Sequence, residues 1–152
     1  MPADDDTRGM NCMNAVDTNI LVYFVDRDEP VKRAKAVDLL ENLVQEDTET
    51  ILLWQVVAEF LSCLRRWERE GRIGRQETLG NLERLGSMFR CVAPTQAILL
   101  KSLDLSSRYS LSHWDSMLVA ACIEAGVRTL YSEDLAPGTQ YDSVTVVNPF
   151  GR

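Results

Sequence analysis

Short apolar runs alternate along this chain with longer segments in which apolar residues recur at helical spacing. "NAVD" reads as the end of a strand and "TNILVYFVD" as a turn running into a helix. "PVKRAKAVDLLENLV" puts Val31, Ala34, Val37, Leu40 and Leu43 or Val44 on one stripe, with Pro30 near the first turn, where a helix accepts it. "TILLW" is a buried strand. "QVVAEFLSCLRRWEREG" is a helix that turns Val57, Phe60, Leu61, Leu64 and Trp67 inward and stops at Gly71. "QETLGNLERLGSMF" is a helix spaced by Leu79, Leu82 and Leu85, and "RCVAP" is a short strand ended by its proline. Thr95 is placed to cap "QAILLKSLDLSSRY", "SHWDSMLVAACIEAG" is a helix closed by Gly126, and "VRTLYSED" and "SVTVVNP" supply the last strands. Strands separated by helices imply a parallel sheet covered on both faces.

A chain of 152 residues suits one domain and can bury a core, and its 45% hydrophobic and 26% charged residues are ordinary for a globular protein. The longest apolar run near the start, Ile20 to Val25, is far short of the ~20 residues a membrane span requires. The expectation is a disordered polar lead-in at residues 1–11, with Met10 or Met13 an equally good start, and a folded domain over 12–152. "MPADDDTRG" lacks the basic and apolar regions of a signal peptide, so a cytoplasmic protein is expected. The four cysteines, at 12, 63, 91 and 122, form no CxxC pair and His113 is the only histidine, which disfavours a zinc cage. They are expected to be reduced, mostly as small core residues.

Four acids stand out, each with an ordinary explanation. Asp17 follows a strand and can cap the next helix, and Asn19 suits a turn. Asp115 lies in "SHWD", where Ser112 and Asp115 resemble a capping box. Asp134 sits in the turn "SEDLAPG" beside Glu133. Glu59 lies well inside a helix at the edge of its apolar stripe, with no basic residue three or four positions away, so its compensation is expected from elsewhere. In parallel sheets ligands collect beyond the carboxyl ends of the strands, which gives Asp17 and Asp134 a common address. Carboxylates brought together repel unless a cation sits among them, and an all-oxygen set suits Mg²⁺ or Mn²⁺. Such a pocket points to metal-assisted hydrolysis of a phosphodiester by water.

"VDTNILVY", "AEF", "SHWDSMLVAAC" and "LYSEDL", in this order and spacing, resemble a PIN domain, and more closely the VapC-type ribonuclease toxins of toxin–antitoxin pairs. The resemblance spans Met13 to Phe150. It implies a three-layer α/β/α sandwich around a mostly parallel sheet, an acidic pocket holding Mg²⁺ or Mn²⁺, and single-stranded or looped RNA as substrate. Asp17, Glu59, Asp115 and Asp134 match the four acids as catalytic groups and metal ligands, while Asn19 and Ser132 match polar positions lining the pocket. A homodimer and a cognate antitoxin covering the site are implied as well. The tail before Met13 is longer than the pattern requires, and His113 is outside the acidic set, with a first-turn surface or packing role expected for it.

The net charge of −7 argues against a polyanionic partner, yet residues 61–90 hold seven arginines against four glutamates. Arg65, Arg69 and Arg72 fall along one helical face and are candidates for RNA phosphates, or for pairing with Glu68 and Glu70. Trp67 and Trp114 are candidates for base stacking, although Trp67 matches the core stripe. The alternatives are a housekeeping RNA-processing nuclease and a PIN-fold binding module without catalysis. A phosphorylated receiver domain is a further alternative, disfavoured because the last lysine, Lys101, falls in a helix rather than at the end of a late strand.

Overall fold

The computed structural model describes residues 12–151; the lead-in expected at 1–11 lies outside the described residues. Strand β1 (Met13–Val16) is followed by helices α1 (Thr18–Val25) and α2 (Pro30–Gln45), then strand β2 (Thr50–Leu53) and helices α3 (Trp54–Arg69) and α4 (Arg75–Met88). Strand β3 (Arg90–Val92) precedes helices α5 (Gln96–Tyr109) and α6 (His113–Ala125), and strands β4 (Val127–Tyr131), β5 (Gln140–Tyr141) and β6 (Val144–Val147) complete the chain. The six strands lie in the order β3-β2-β1-β4-β6-β5. All pairings are parallel except that of β5 with β6. The molecule is an α/β/α sandwich.

The strand order dictates where a site can form. From β1 the chain moves outward through β2 to β3, then crosses back to place β4 on the other side of β1. The crevice between β1 and β4 is therefore the switch point at which parallel sheets bind ligands. The two strands end level, Val16 opposite Tyr131, and the amide of Asp17 continues the ladder by donating to the Tyr131 carbonyl at 2.8 Å.

The core is built from the central strands and the helix stripes facing them. Ala15, Val16, Ile51 and Leu130 of the sheet are fully buried with Ile20, Leu21, Leu40, Phe60, Leu64 and Leu105 of the helices. Helix α6 carries the buried run Leu118 to Cys122, and Gly126 ends it at φ +80, a left-handed conformation that favours glycine. Trp67 belongs to the core, as its stripe predicts. No helix among the described residues is long and apolar enough to cross a membrane.

Five local expectations are corrected. Thr95 sits at the N-cap of α5 without a side-chain cap bond, and Leu79 of α4 is exposed while Thr78 and Leu85 are buried. Helix α2 buries Ala36, Leu40 and Leu43, whereas Val31, Ala34 and Val44 are exposed, so its inward stripe is rotated from the one the sequence suggested. The buried stripe of α3 is Val56, Phe60, Leu64 and Trp67, with Val57 and Leu61 only half-buried on its flank. Of the cysteines only Cys122 is fully buried; Cys63 is half-buried, Cys12 and Cys91 are exposed, and all four are free.

Candidate active site

Asp17 is the most enclosed of the four acids. It is the N-cap of α1, and its Oδ1 accepts the Thr18 amide at 2.7 Å, so the capping role is real. Its Oδ2 accepts the hydroxyl of Ser132, a fully buried residue just beyond β4, also at 2.7 Å. The Ser132 oxygen in turn accepts the amides of Asp134 at 3.2 Å and Leu135 at 3.5 Å. One serine thus joins the ends of β1 and β4 and orders the turn that carries Asp134. Burial pushes the Asp17 carboxyl above its ordinary value; the bonds from Ser132 and Thr18 oppose this, while the negative charges of Asp134 and Glu59 add to it.

Thr18 connects the second acid. Its hydroxyl donates to Glu59 Oε2 at 2.8 Å, while its amide serves Asp17, so one residue bonds to both carboxylates. Gln55, one turn before Glu59, donates to Oε1 at 3.3 Å and to the Trp114 carbonyl at 3.2 Å. Glu59 is exposed rather than edge-buried, because it lies about 100° around the helix from the inward-facing Phe60. Its partners are an uncharged hydroxyl and amide, and solvation spares it the compensation a buried charge demands.

Asp115 lies in the first turn of α6, where its amide donates to the Ser112 hydroxyl at 3.3 Å; the cap expected from "SHWD" forms. Asp134 is raised above the ordinary carboxylate value by loss of hydration and by the charges of Glu133, Asp115 and Glu59, with Lys32 opposing. Asp134 is therefore in electrostatic contact with both Asp115 and Glu59, and Asp17 with both Asp134 and Glu59. Asp17, Glu59 and Asp134 thus repel one another pairwise, and Asp115 joins them through Asp134.

Glu133 is occupied elsewhere. It forms an ion pair with Lys32 and accepts the Tyr23 hydroxyl at 2.9 Å, and Lys32 also lies 4.6 Å from the centre of the Tyr23 ring. Lys32 is thus paired with Glu133, and Asp134 is the acid of this turn that has no salt bridge among the described residues. Sequence reading did not single out Thr18, Gln55 or Lys32. Only the adjacency of Thr18 to Asp17 and the one-turn spacing of Gln55 from Glu59 hinted at the first two.

The donor set fits a hard divalent cation in its chemistry, being entirely oxygen and repulsive without positive charge at its centre. Asn19, two positions after Asp17, has both polar side-chain atoms buried with no hydrogen-bond partner among the described residues. Among the described residues no three acidic, histidine or cysteine side chains are gathered closely enough to form a ready-made ion cage. The arrangement is a field of acids around a crevice, with Asp17 fixed and Glu59 exposed.

The basic residues divide. Arg65 and Arg69 are exposed on α3 and form no salt bridge among the described residues. Arg72, just past the helix, pairs with Asp28 at 2.7 Å and Asp26 at 3.1 Å and stacks 4.2 Å from the Trp67 ring centre. Glu68 is held by Arg75 at 3.0 Å. His113 lies at the exposed start of α6, edge-on to Trp114 at 4.6 Å between ring centres.

A parallel-sheet α/β/α domain with Asp17 at its switch point, linked through Thr18 to Glu59 and through Ser132 to the turn of Asp134, is the class these features define. The model of the PIN domain family matches residues 15–136, and the chain belongs to that family. A toxin–antitoxin complex from Klebsiella pneumoniae contains a chain 20% identical to this one, with a TM-score of 0.63 over 90% of this chain and 98% of the other. VapBC2 from Rickettsia felis, bound to a promoter DNA fragment, is similar at 13% identity and a TM-score of 0.67, over 88% and 96% of the two chains. VapC20 of Mycobacterium tuberculosis, a toxin that cleaves the sarcin–ricin loop, is similar at 17% identity and a TM-score of 0.59, over 80% and 89%. These likenesses establish the shared fold. No curated protein sequence matches the chain at a significant level.

Proposed function

We propose that this chain is a metal-dependent endoribonuclease that hydrolyses RNA phosphodiesters with water, acting as the toxin of a toxin–antitoxin pair. The observation that carries the reading is the hydrogen-bonded set at the β1/β4 crevice, in which Thr18 bonds both Asp17 and Glu59 and Ser132 joins Asp17 to the turn carrying Asp134, with Lys32 committed to Glu133. Membership of the PIN family and the likeness to toxins of VapBC pairs support it.

Asp17, Glu59, Asp115 and Asp134 are the residues that would hold Mg²⁺ or Mn²⁺, which when bound neutralises phosphate charge and acidifies water. The protein's own contribution is positional. Ser132 and the Thr18 amide hold Asp17 in one orientation, and the Thr18 hydroxyl and Gln55 steady Glu59. Asn19, two positions after Asp17, would be a further polar position near the pocket, its amide unpartnered among the described residues. Arg65 and Arg69, exposed beyond Glu59 on α3, would meet RNA phosphates. A homodimer, a cognate antitoxin whose tail covers the site, and a cytoplasmic location complete the proposal, with residues 12–152 as the nuclease domain.

The test is induced expression of the wild type and of Asp17→Asn, followed by mapping of RNA ends. Growth arrest and new RNA ends with the wild type alone support the reading. Equal toxicity of the two, or full cleavage by purified protein in EDTA, overturns it.

A further inference from the structure

Beside the acids lies a groove of about 700 Å³ between the start of α3, the β3–α5 connection and α6. This volume falls within the range of roughly 300–1,000 Å³ typical of small-molecule clefts. Ile98 and Met117 contribute to its apolar lining, and Trp54 and Trp114 line it while remaining 58% and 61% exposed. Two exposed indoles lining one groove form an aromatic surface of the kind that marks an interaction site. Glu59 belongs to both the groove and the acidic site, and Gln55 ties the two by bonding Glu59 and the Trp114 carbonyl.

We infer that this groove is a nucleobase subsite, in which Trp54 and Trp114 stack unpaired bases of a strand whose backbone crosses the acids. The inference rests on the proposal that the substrate is RNA. Charge favours this occupant. The charged residues lining the groove are Glu59 and Glu124, which repel phosphate but can accept hydrogen bonds from the amino groups of bases. Ser62 lines the groove, and Arg65 and Arg69 follow it by three and seven positions on the same flank of α3. Phosphates are thus drawn along the helix outside the groove while bases turn into it. Stacking on aromatic faces is tolerant of sequence, so Trp54 and Trp114 would select for unpaired strand rather than for a particular base.

The test uses the full chain in EDTA with two probes, a short oligoriboadenylate and an abasic ribose-phosphate oligomer of the same length. Trp67 is buried, so quenching of tryptophan emission reports on Trp54 and Trp114. Quenching by the oligoadenylate and weaker binding of the abasic oligomer are expected. Trp54→Ala and Trp114→Ala should each weaken oligoadenylate binding about five- to a hundredfold, with Trp→Phe variants retaining most of it. Equal binding of the two probes by the wild type, or wild-type affinity in both alanine variants, overturns the inference. So does a change in molecular mass in the alanine variants with RNA binding unaltered, which would assign the groove to contact with protein. Base-dependent quenching without cleavage in any divalent ion would sink the nuclease reading and leave the subsite standing. Cleavage with unaltered KM in both alanine variants would do the reverse.

Discussion

The Ser132 hydroxyl donates to Asp17 Oδ2 at 2.7 Å across 115 positions of sequence, and its oxygen receives the two backbone amides that shape the following turn. Ser132→Ala strips a buried carboxylate of one partner and leaves two amides unanswered. A loss of about 1–3 kcal/mol is expected, read as a lower urea midpoint at unchanged slope. An undiminished midpoint would mean that water takes the place of the hydroxyl.

Asp17→Asn separates charge from shape. Because burial and neighbouring acids hold the Asp17 carboxyl above its ordinary value, its ionised form opposes folding. The variant is expected to melt at the same or a higher temperature than the wild type in EDTA. Added Mg²⁺ or Mn²⁺ should raise the melting temperature of the wild type and shift the variant much less. Equal shifts in both proteins would show that Asp17 does not participate in ion binding.

The arginines of the α3 region should separate into two kinds. Arg65→Ala and Arg69→Ala should each lower the slope of log affinity for RNA against log salt by roughly one without changing stability. Arg72→Ala should lower the melting temperature instead, since it removes two ion pairs and a stacked guanidinium from the junction of α3 with the turn after α1. Salt titrations and thermal melts of the same three proteins check both.

Acid sensitivity should trace to Asp142. Bonds from Arg108 and then from the Tyr109 hydroxyl hold its carboxyl well below the usual carboxylate range. A depressed folded value means that stability is present above the ordinary carboxylate pKa and is lost as pH falls below it. The wild type should therefore lose melting temperature more steeply than Asp142→Asn between about pH 4 and 2. Parallel curves would assign the acid sensitivity to other groups.

What the sequence reveals here follows periodicity and chain order. The alternation of strands and helices emerges as read, because the helices are long enough to show their period and most strands are short apolar runs between them; the two-residue β5 offers neither signal. The inward stripe of α2 was misplaced because Val31 and Val44 are apolar yet exposed, and periodicity cannot tell an outward valine from a buried one. The positions of Asp17 just after β1 and of Asp134 in the turn after β4 are legible because each follows an apolar run that forms a strand. The division of labour between Glu133 and Asp134 was not legible, since it depends on a lysine 101 positions away. Glu59 stands out in the sequence through an expected burial that the fold does not give it, whereas its connection to Asp17 runs through Thr18.

The level ends of β1 and β4 have a consequence for how this domain can diverge. Side chains along a strand alternate between faces, so a single residue inserted between Ala15 and Asp17 would swing the acid away from Ser132 and break Thr18's simultaneous grip on two carboxylates. Length variation can therefore accumulate in the outer connections, but the count of residues from the middle of β1 to the first turn of α1 must stay fixed.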